Sequence, residues 1–395
     1  MEESATDYQG NTLARYFYID GKRFGLEQES YERLKDLASS ICSNRNVRDK
    51  LSTSYVEKEL FDWVRSAFGR DTPDKPFCEA LVLAANQDIA KTEAWVPIAN
   101  LEIEAAFFIG RVELRPVLRS VIDAWSIKLT ALPETHRKNA EQLFLDIRKK
   151  FQGCAAAVIS VEAEPLRAFE VSIEQAELTT SLIAIFSLGS LLPDIKCLST
   201  ISGSESLSKG TVIFNPGGEV FRMTSAILDV ASARPWRLAQ KEVVELRKSG
   251  LDVISWLLID DDPNDFKQAI LNALVLYSKA AFTSEPIEKV IYVLSSLESM
   301  LLKNENEPIQ QNLAERIAMF TATELTKRKQ IISNIKATYS VRSRYLHHGH
   351  LRSELETIRE FLMNAWAFYA LLLGNAQKFS TRLEFVSAID DAKLS

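Results

Sequence analysis

Histidine is scarce in this chain. There are four in 395 residues, and three of them, His347, His348 and His350, stand together in "VRSRYLHHGH". Cysteine is equally sparse. Cys42, Cys78, Cys154 and Cys197 lie far apart and form no C-x-x-C pair, which excludes a zinc or redox motif built on that spacing. Scattered cysteines read as reduced core residues and a cytoplasmic setting. Long apolar runs are missing too: "SLIAIFSLGSLL" and "FLMNAWAFYALLL" are too short to span a bilayer, so buried helices and no membrane partner are expected. The opening "MEESATDYQGN" is acidic and polar, unlike a signal peptide. No Walker-type or G-x-G-x-x-G loop is present. Positive charge is in deficit overall, and a net charge of −6 argues against broad electrostatic coating of a nucleic-acid duplex.

What is there suits a globular α+β protein. The apolar fraction of 46% and charged fraction of 25% are ordinary, and 395 residues suggest two domains. In the first half, "FYIDGKRFGL" carries an Asp20-Gly21 hairpin signal. Residues 28–48, 54–68 and 134–151 have helical spacing. "EALVLAANQ", "AWVPIANLEIEAAFFIGRVEL" and "AAAVISVEAE" read as strands, and Pro165 opens a helix to about Ser187. "STISGSESLSKG" is a loop, and "TVIFNPGGEVFRM" is a hairpin turning at Pro216-Gly217-Gly218. These readings place a mixed α/β N-terminal domain over 1–237 and an all-α antiparallel bundle over 238–395. Its helices are expected at about 240–259, 263–282, 286–303, 309–323, 325–347 and 352–375.

"DDDPNDF" alternates Asp260, Asp262 and Asn264, but it lacks the glycine and distal glutamate of a calcium loop. Asp262 as helix N-cap before Pro263 is the simpler expectation. No metal-ligand set or cofactor motif stands out.

The helix that carries the histidines holds more chemistry. Between 324 and 352 seven basic residues face the single acid Glu324, a local balance of +6 in an acidic chain. Ile331, Ile335, Tyr339, Arg342, Tyr345 and Leu346 follow the 3-and-4 spacing of one face, which aims the Arg342 guanidinium at the core. A buried cation needs an anion, either a carboxylate or a phosphate or each at different times. In "IEKVIYVLSSLESML", Glu298 follows Leu294 by four and precedes Leu301 by three, so it too is expected to point inward and to pair with Arg342. Ser343 sits four residues before His347, within reach of a hydrogen bond. On an ideal helix Arg342 and His347 are about 140° apart, and Arg342 and His348 about 120° the other way. Gly349 is a natural left-handed C-cap.

The ordered set "AILNALVLYSKAAF", "VIYVLSSLESMLL", "NLAERIAMF" and "IKATYSVRSRYLHHG" resembles the Apea-like branch of the HEPN (higher eukaryotes and prokaryotes nucleotide-binding) domains over about 240–375. The resemblance implies a dimerising bundle of four or five antiparallel helices. Active members are metal-independent RNA endonucleases with an R-x(4–6)-H motif. Arg342 and His347 match it with four residues between, and His348 falls within the permitted range. The polar residue that follows the arginine in active members is Ser343 here. The implied catalytic residues are therefore Arg342, His347 and His348, supported by Ser343, Glu298, Tyr339 and Arg344. The implied partners are single-stranded RNA or tRNA and a second copy of the chain through the helical domain. The implied role is a toxin or antiphage defence effector, with the N-terminal domain sensing or restraining it. Two other readings stand beside this one: a non-catalytic module that binds RNA, a nucleotide or a protein, and a structural bundle in which Arg342–Glu298 is only an ion pair.

Overall fold

The computed structural model describes residues 6, 12–68, 75–127, 133–203, 208–214, 222–227, 235–348 and 354–393. The chain is α+β. It forms two compact units, one of residues 1–94 with 159–174 and one of residues 95–158 with 175–395.

The first unit opens with the hairpin β1 (Arg15–Ile19) and β2 (Lys22–Leu26), turning at Asp20 and Gly21, both at positive φ. Helix α1 (Gln28–Cys42) ends sooner than its spacing suggests, because Asn44 caps a separate short helix, α2 (Arg45–Arg48). Next come α3 (Thr53–Phe68) and α4 (Phe77–Asp88). Helix α4 corrects the strand expected at "EALVLAANQ". Leu81 and Ala85, one turn apart, are its buried residues, and the Leu/Ala-rich run favours helix over strand. Phe17, Leu34, Ala38, Val56, Leu60 and Phe61 form the core of this unit. Residues 159–174 are fastened to it by Glu164. Its buried carboxylate accepts from the backbone N–H groups of Ser52 at 3.1 Å, Leu166 at 2.7 Å and Arg167 at 2.8 Å. The last two are the orphan donors of a helix start.

The second unit contains most of a five-stranded sheet and the helical bundle. Its strands are β3 (Ala90–Ala99), β5 (Phe107–Ile109), β6 (Val112–Pro116), β7 (Ala155–Ala163) and β8 (Thr200–Ile201), in the order β5-β6-β7-β3-β8. The chain passes between units inside β3, inside β7 and inside the helix Pro165–Ala184 (α7). Strand β4 (Leu101–Ile103) follows β3, while α5 (Arg119–Ile127) and α6 (Glu134–Phe151) lie between β6 and β7 in sequence. The helix Leu188–Leu191 is α8. Strands β9 (Ser208–Phe214) and β10 (Arg222–Ile227) form the expected antiparallel hairpin, whose turn lies outside the described residues. A further strand, β11 (Trp236–Leu238), pairs in parallel with β4. The boundary expected at 237/238 falls inside this strand. The sheet and bundle are also joined by Ser255, whose hydroxyl accepts from the Gly110 N–H at 2.8 Å.

The bundle begins with α9 (Gln240–Leu246), a π-helical turn over Arg247–Leu251, and α10 (Asp252–Ile259). One helix was expected here. The break centres on Gly250, at φ 120°, where a Cβ would stand 2.6 Å from Leu373 Cδ1. Helix α11 (Asp265–Ser278) is capped by Asn264, which accepts from the Lys267 N–H at 2.9 Å, so the cap is Asn264 and not Asp262. Asp260 instead binds the Lys267 ammonium at 2.6 Å. Helices α12 (Pro286–Leu301), α13 (Ile309–Thr321), α14 (Leu325–His348), α15 (Leu355–Leu373) and α16 (Arg382–Asp391) complete the bundle. Their apolar faces close one large core that includes Phe266, Leu294, Leu297, Ile335, Phe361 and Phe368. No helix among the described residues is long and apolar enough to cross a membrane.

Candidate functional site

Helices α12 and α14 pack together with α13 and α15 around this core. Among the described side chains of α14 the buried ones are Ile331, Asn334, Ile335, Thr338 and Val341, a 3-and-4 row facing inward. Arg342 follows Thr338 by four, so it sits at the edge of that row. On α12, Glu298 stands beside buried Leu294, Leu297 and Leu301 in the same way. The two meet: Arg342 Nη1 lies 3.7 Å from Glu298 Oε1.

The pair is not sealed in the core. The Arg342 side chain is 32% exposed and that of Glu298 23%. The period of a helix fixes which way a side chain points. It does not fix how far the neighbouring elements cover it, which is why inward spacing led here to a half-buried rim.

Tyr339 completes the cluster. Its hydroxyl donates to the same Glu298 Oε1 at 2.7 Å. Burial raises the phenol above its ordinary range, and the bond to a carboxylate raises it further, so Tyr339 remains a neutral donor. Glu298 is therefore held by a short hydrogen bond from Tyr339, while Arg342 stands at ion-pair distance. Among the described residues Arg342 makes no hydrogen bond within the chain. Among those residues its planar fork has only Glu298 beside it, which leaves room for a further anion.

The other expected residues are placed as follows. Arg344 is exposed and pairs with Glu354, the residue before α15, so it does not join the Glu298 cluster. Ser343 is exposed. His347 and His348 belong to the last turn of α14, but their side chains lie outside the described residues, as do Gly349 and His350. The Ser343–His347 contact and the glycine cap thus fall outside them too.

Comparisons with protein-family models, curated proteins and solved structures find nothing that matches this chain. The chemistry of the site rests on its own residues.

Three polar groups on buried faces were not anticipated. Lys289, on α12, is fully buried, and its ammonium donates to the carbonyls of Gly189, of Ile195 at 2.7 Å and of Ala280 at 2.9 Å. Burial pulls its pKa down to about 8, against the opposing charge of Asp194. Gly189 is needed for this approach: a Cβ there would stand 2.5 Å from the Cys197 nitrogen and 2.6 Å from the Ala281 oxygen. Arg316, on α13, is 3% exposed and bridges Glu307 and Asp390. Asn334, on α14, donates to the Thr357 carbonyl at 2.9 Å and accepts from Asn364 at 3.1 Å, a polar seam between α14 and α15. Each was findable by the signal that exposed Arg342 and Glu298, a polar residue at an apolar position of a helical period.

Proposed function

We propose that the chain is a metal-independent RNA endonuclease of HEPN type, acting as a homodimer, with Arg342 binding the scissile phosphate and His347 and His348 moving protons. A toxin or defence effector, restrained by its N-terminal region, is the role this activity suits. The observation that carries the reading is Arg342 itself: a guanidinium about a third exposed, whose contact among the described residues is the long one to Glu298, five residues before a histidine pair.

RNA brings its own nucleophile. The 2′-hydroxyl oxygen attacks phosphorus while one histidine takes its proton. The bond to the 5′-oxygen breaks, and that oxygen takes a proton from the other histidine. Histidine titrates near neutrality and serves in either role. Arg342 stabilises the extra negative charge of the pentacoordinate phosphorus with a two-pronged fork, and it stays protonated throughout. Arg342 and His347 diverge by about 140° around one helix. A site assembled from two copies lets the arginine of one protomer work with a histidine of its partner.

The test is cleavage of single-stranded RNA by purified protein in the presence of chelator. The expected products are a 2′,3′-cyclic phosphate, or the 3′-phosphate from its hydrolysis, and a 5′-hydroxyl, with DNA left intact. His347→Ala should lower the rate by about 10²–10⁴-fold. Arg342→Lys should be nearly as damaging as Arg342→Ala, because a point ammonium lacks the fork. RNA that is bound but never cut would replace this reading with that of a binding module.

A further inference from the structure

The face of α14 that looks away from the core follows a regular pattern. Thr326, Lys329, Ser333, Lys336, Ser340 and Ser343 succeed one another at steps of three and four residues, so they line one side of the helix, and all six are exposed. Two features separate this face from an ordinary solvated helix surface. The first is its charge. Leu325–His348 contains no aspartate or glutamate, although the chain as a whole carries more acids than bases. Exposed faces elsewhere mix the signs: α1 pairs Arg33 with Glu29, and α3 pairs Lys58 with Asp62. Lys329 and Lys336 form no ion pair among the described residues. Glu315, on the neighbouring α13, feels the charge of Lys336, but it accepts its hydrogen bonds from Gln311 at 2.8 Å and Lys393 at 3.2 Å. The second feature is the filling between the lysines. It consists of small hydroxyl residues that allow close approach to the helix; Ser340 donates to the Lys336 carbonyl at 3.1 Å, and the others can hydrogen-bond phosphate oxygens.

We propose that this row is a track for the phosphate backbone of single-stranded RNA, leading the strand along α14 to Arg342. The proposal rests on the endonuclease reading for its destination. The match is one of charge and shape. Ammonium and hydroxyl groups bind phosphate oxygens of any sequence and read no bases. From Lys329 to Ser343 the row runs about 21 Å at 1.5 Å per residue, long enough for several nucleotides. It is a single straight row on an acidic protein, so it follows one strand rather than embracing a duplex. Ser343 is next to Arg342 in the chain, and His347 lies one turn further along, so a strand held by the row arrives at the reactive end.

The experiment measures binding of fluorescent oligouridylate to the full chain by anisotropy, under chelator and across a range of salt. It is done in an Arg342→Ala background so that no RNA is cut. Adding Lys329→Gln and Lys336→Gln should weaken binding and flatten the slope of log K against log salt by about 1.4, at about 0.7 for each phosphate that is no longer neutralised. Both positions are exposed, and an unchanged circular dichroism spectrum would certify the fold. An unchanged slope would overturn the track. So would equal competition by polyglutamate, which would mark the row as a protein-docking face, or tighter binding of double-stranded RNA with the same slope change. The two readings fail separately. Arg342-dependent cutting with an unmoved slope removes the track and leaves the site. A flattened slope in a chain that never cuts RNA keeps the track and removes the endonuclease.

Discussion

Replacing Glu298 tests how the site is held together. Its Oε1 atom has two partners, the Tyr339 hydroxyl at 2.7 Å and the Arg342 Nη1 atom at 3.7 Å. At 3.7 Å, with an effective dielectric of about 20, the bare attraction between the charges is about 4.5 kcal/mol. Both side chains keep part of their hydration, and the loss of the rest offsets most of that attraction, leaving up to about 1 kcal/mol. The tyrosine bond to a carboxylate contributes about 1.5–3 kcal/mol. Glu298→Ala removes both and should cost about 2–4 kcal/mol. Glu298→Gln keeps an oxygen acceptor for Tyr339 and removes only the charge, so it should cost about 1 kcal/mol. Urea denaturation of the two variants and of Tyr339→Phe gives the numbers, and a double-mutant cycle isolates the Tyr339–Glu298 bond. The reasoning fails if Glu298→Ala unfolds at the wild-type midpoint. It fails equally if Glu298→Gln is as damaging as Glu298→Ala, because the ion pair would then dominate and Arg342 would be a structural cation.

Two further perturbations probe the buried charges of the bundle. Lys289 has a folded-state pKa near 8 against 10.5 for the free side chain, so between those values the unfolded chain holds the proton more tightly and stability rises with pH. Denaturant melts at pH 7.5 and 10 should show wild type gaining about 2.4 kcal/mol relative to Lys289→Met over that window, and no relative gain would mean that the carbonyls fully offset the burial. The Asp390 carboxyl is held well below its ordinary range by hydrogen bonds from Arg316, so its contribution is fully present above about pH 4 and is lost as the pH falls toward its folded value. Asp390→Ala should cost about 2 kcal/mol at neutral pH, less than the loss of a buried pair outright because Glu307 still faces Arg316, and the variant's acid unfolding should be shallower than that of wild type.

Much of the bundle was legible because its helices are long and one face of each is buried. The apolar periods of α12, α13 and α14 give their positions within a few residues. Elements that depend on distant partners were not legible. Strand β11 is three residues long and exists through its parallel pairing with Leu101–Ile103, more than a hundred positions earlier. The π-helical turn holds Gly250 at φ 120°, in a place where a Cβ would meet Leu373, more than a hundred positions later. The short run "EALVLAANQ" can be read with either period, and its burial partners decided for helix. The same division holds at the site. Local spacing brought Glu298 and Arg342 face to face. The capture of Arg344 by Glu354 depends on how α15 approaches α14, which no period encodes.

Two arginines of the same bundle show what distinguishes a structural cation from an available one. All five N–H donors of Arg316 are spent: Nε and Nη2 on Asp390, Nη1 and Nη2 on Glu307, and Nη1 again on the Leu301 carbonyl, at 2.7–2.9 Å. Its side chain is 3% exposed, and no phosphate could reach it without breaking that set. Arg342 also stands at an apolar position of its helix, and periodicity alone would assign it the same role. Its surroundings differ in every respect that matters for ligand binding. One carboxylate oxygen faces it at 3.7 Å, that oxygen already accepts from Tyr339, and about a third of the side chain meets solvent. Among the described residues this guanidinium is oriented yet makes no hydrogen bond, so an anion approaching from solvent would gain a two-pronged contact without first displacing one of them. Burying an arginine for stability favours the arrangement of Arg316, in which nothing is left over. Keeping one at a rim, beside a glutamate that a tyrosine holds in place, is the arrangement that the proposed phosphate contact would need.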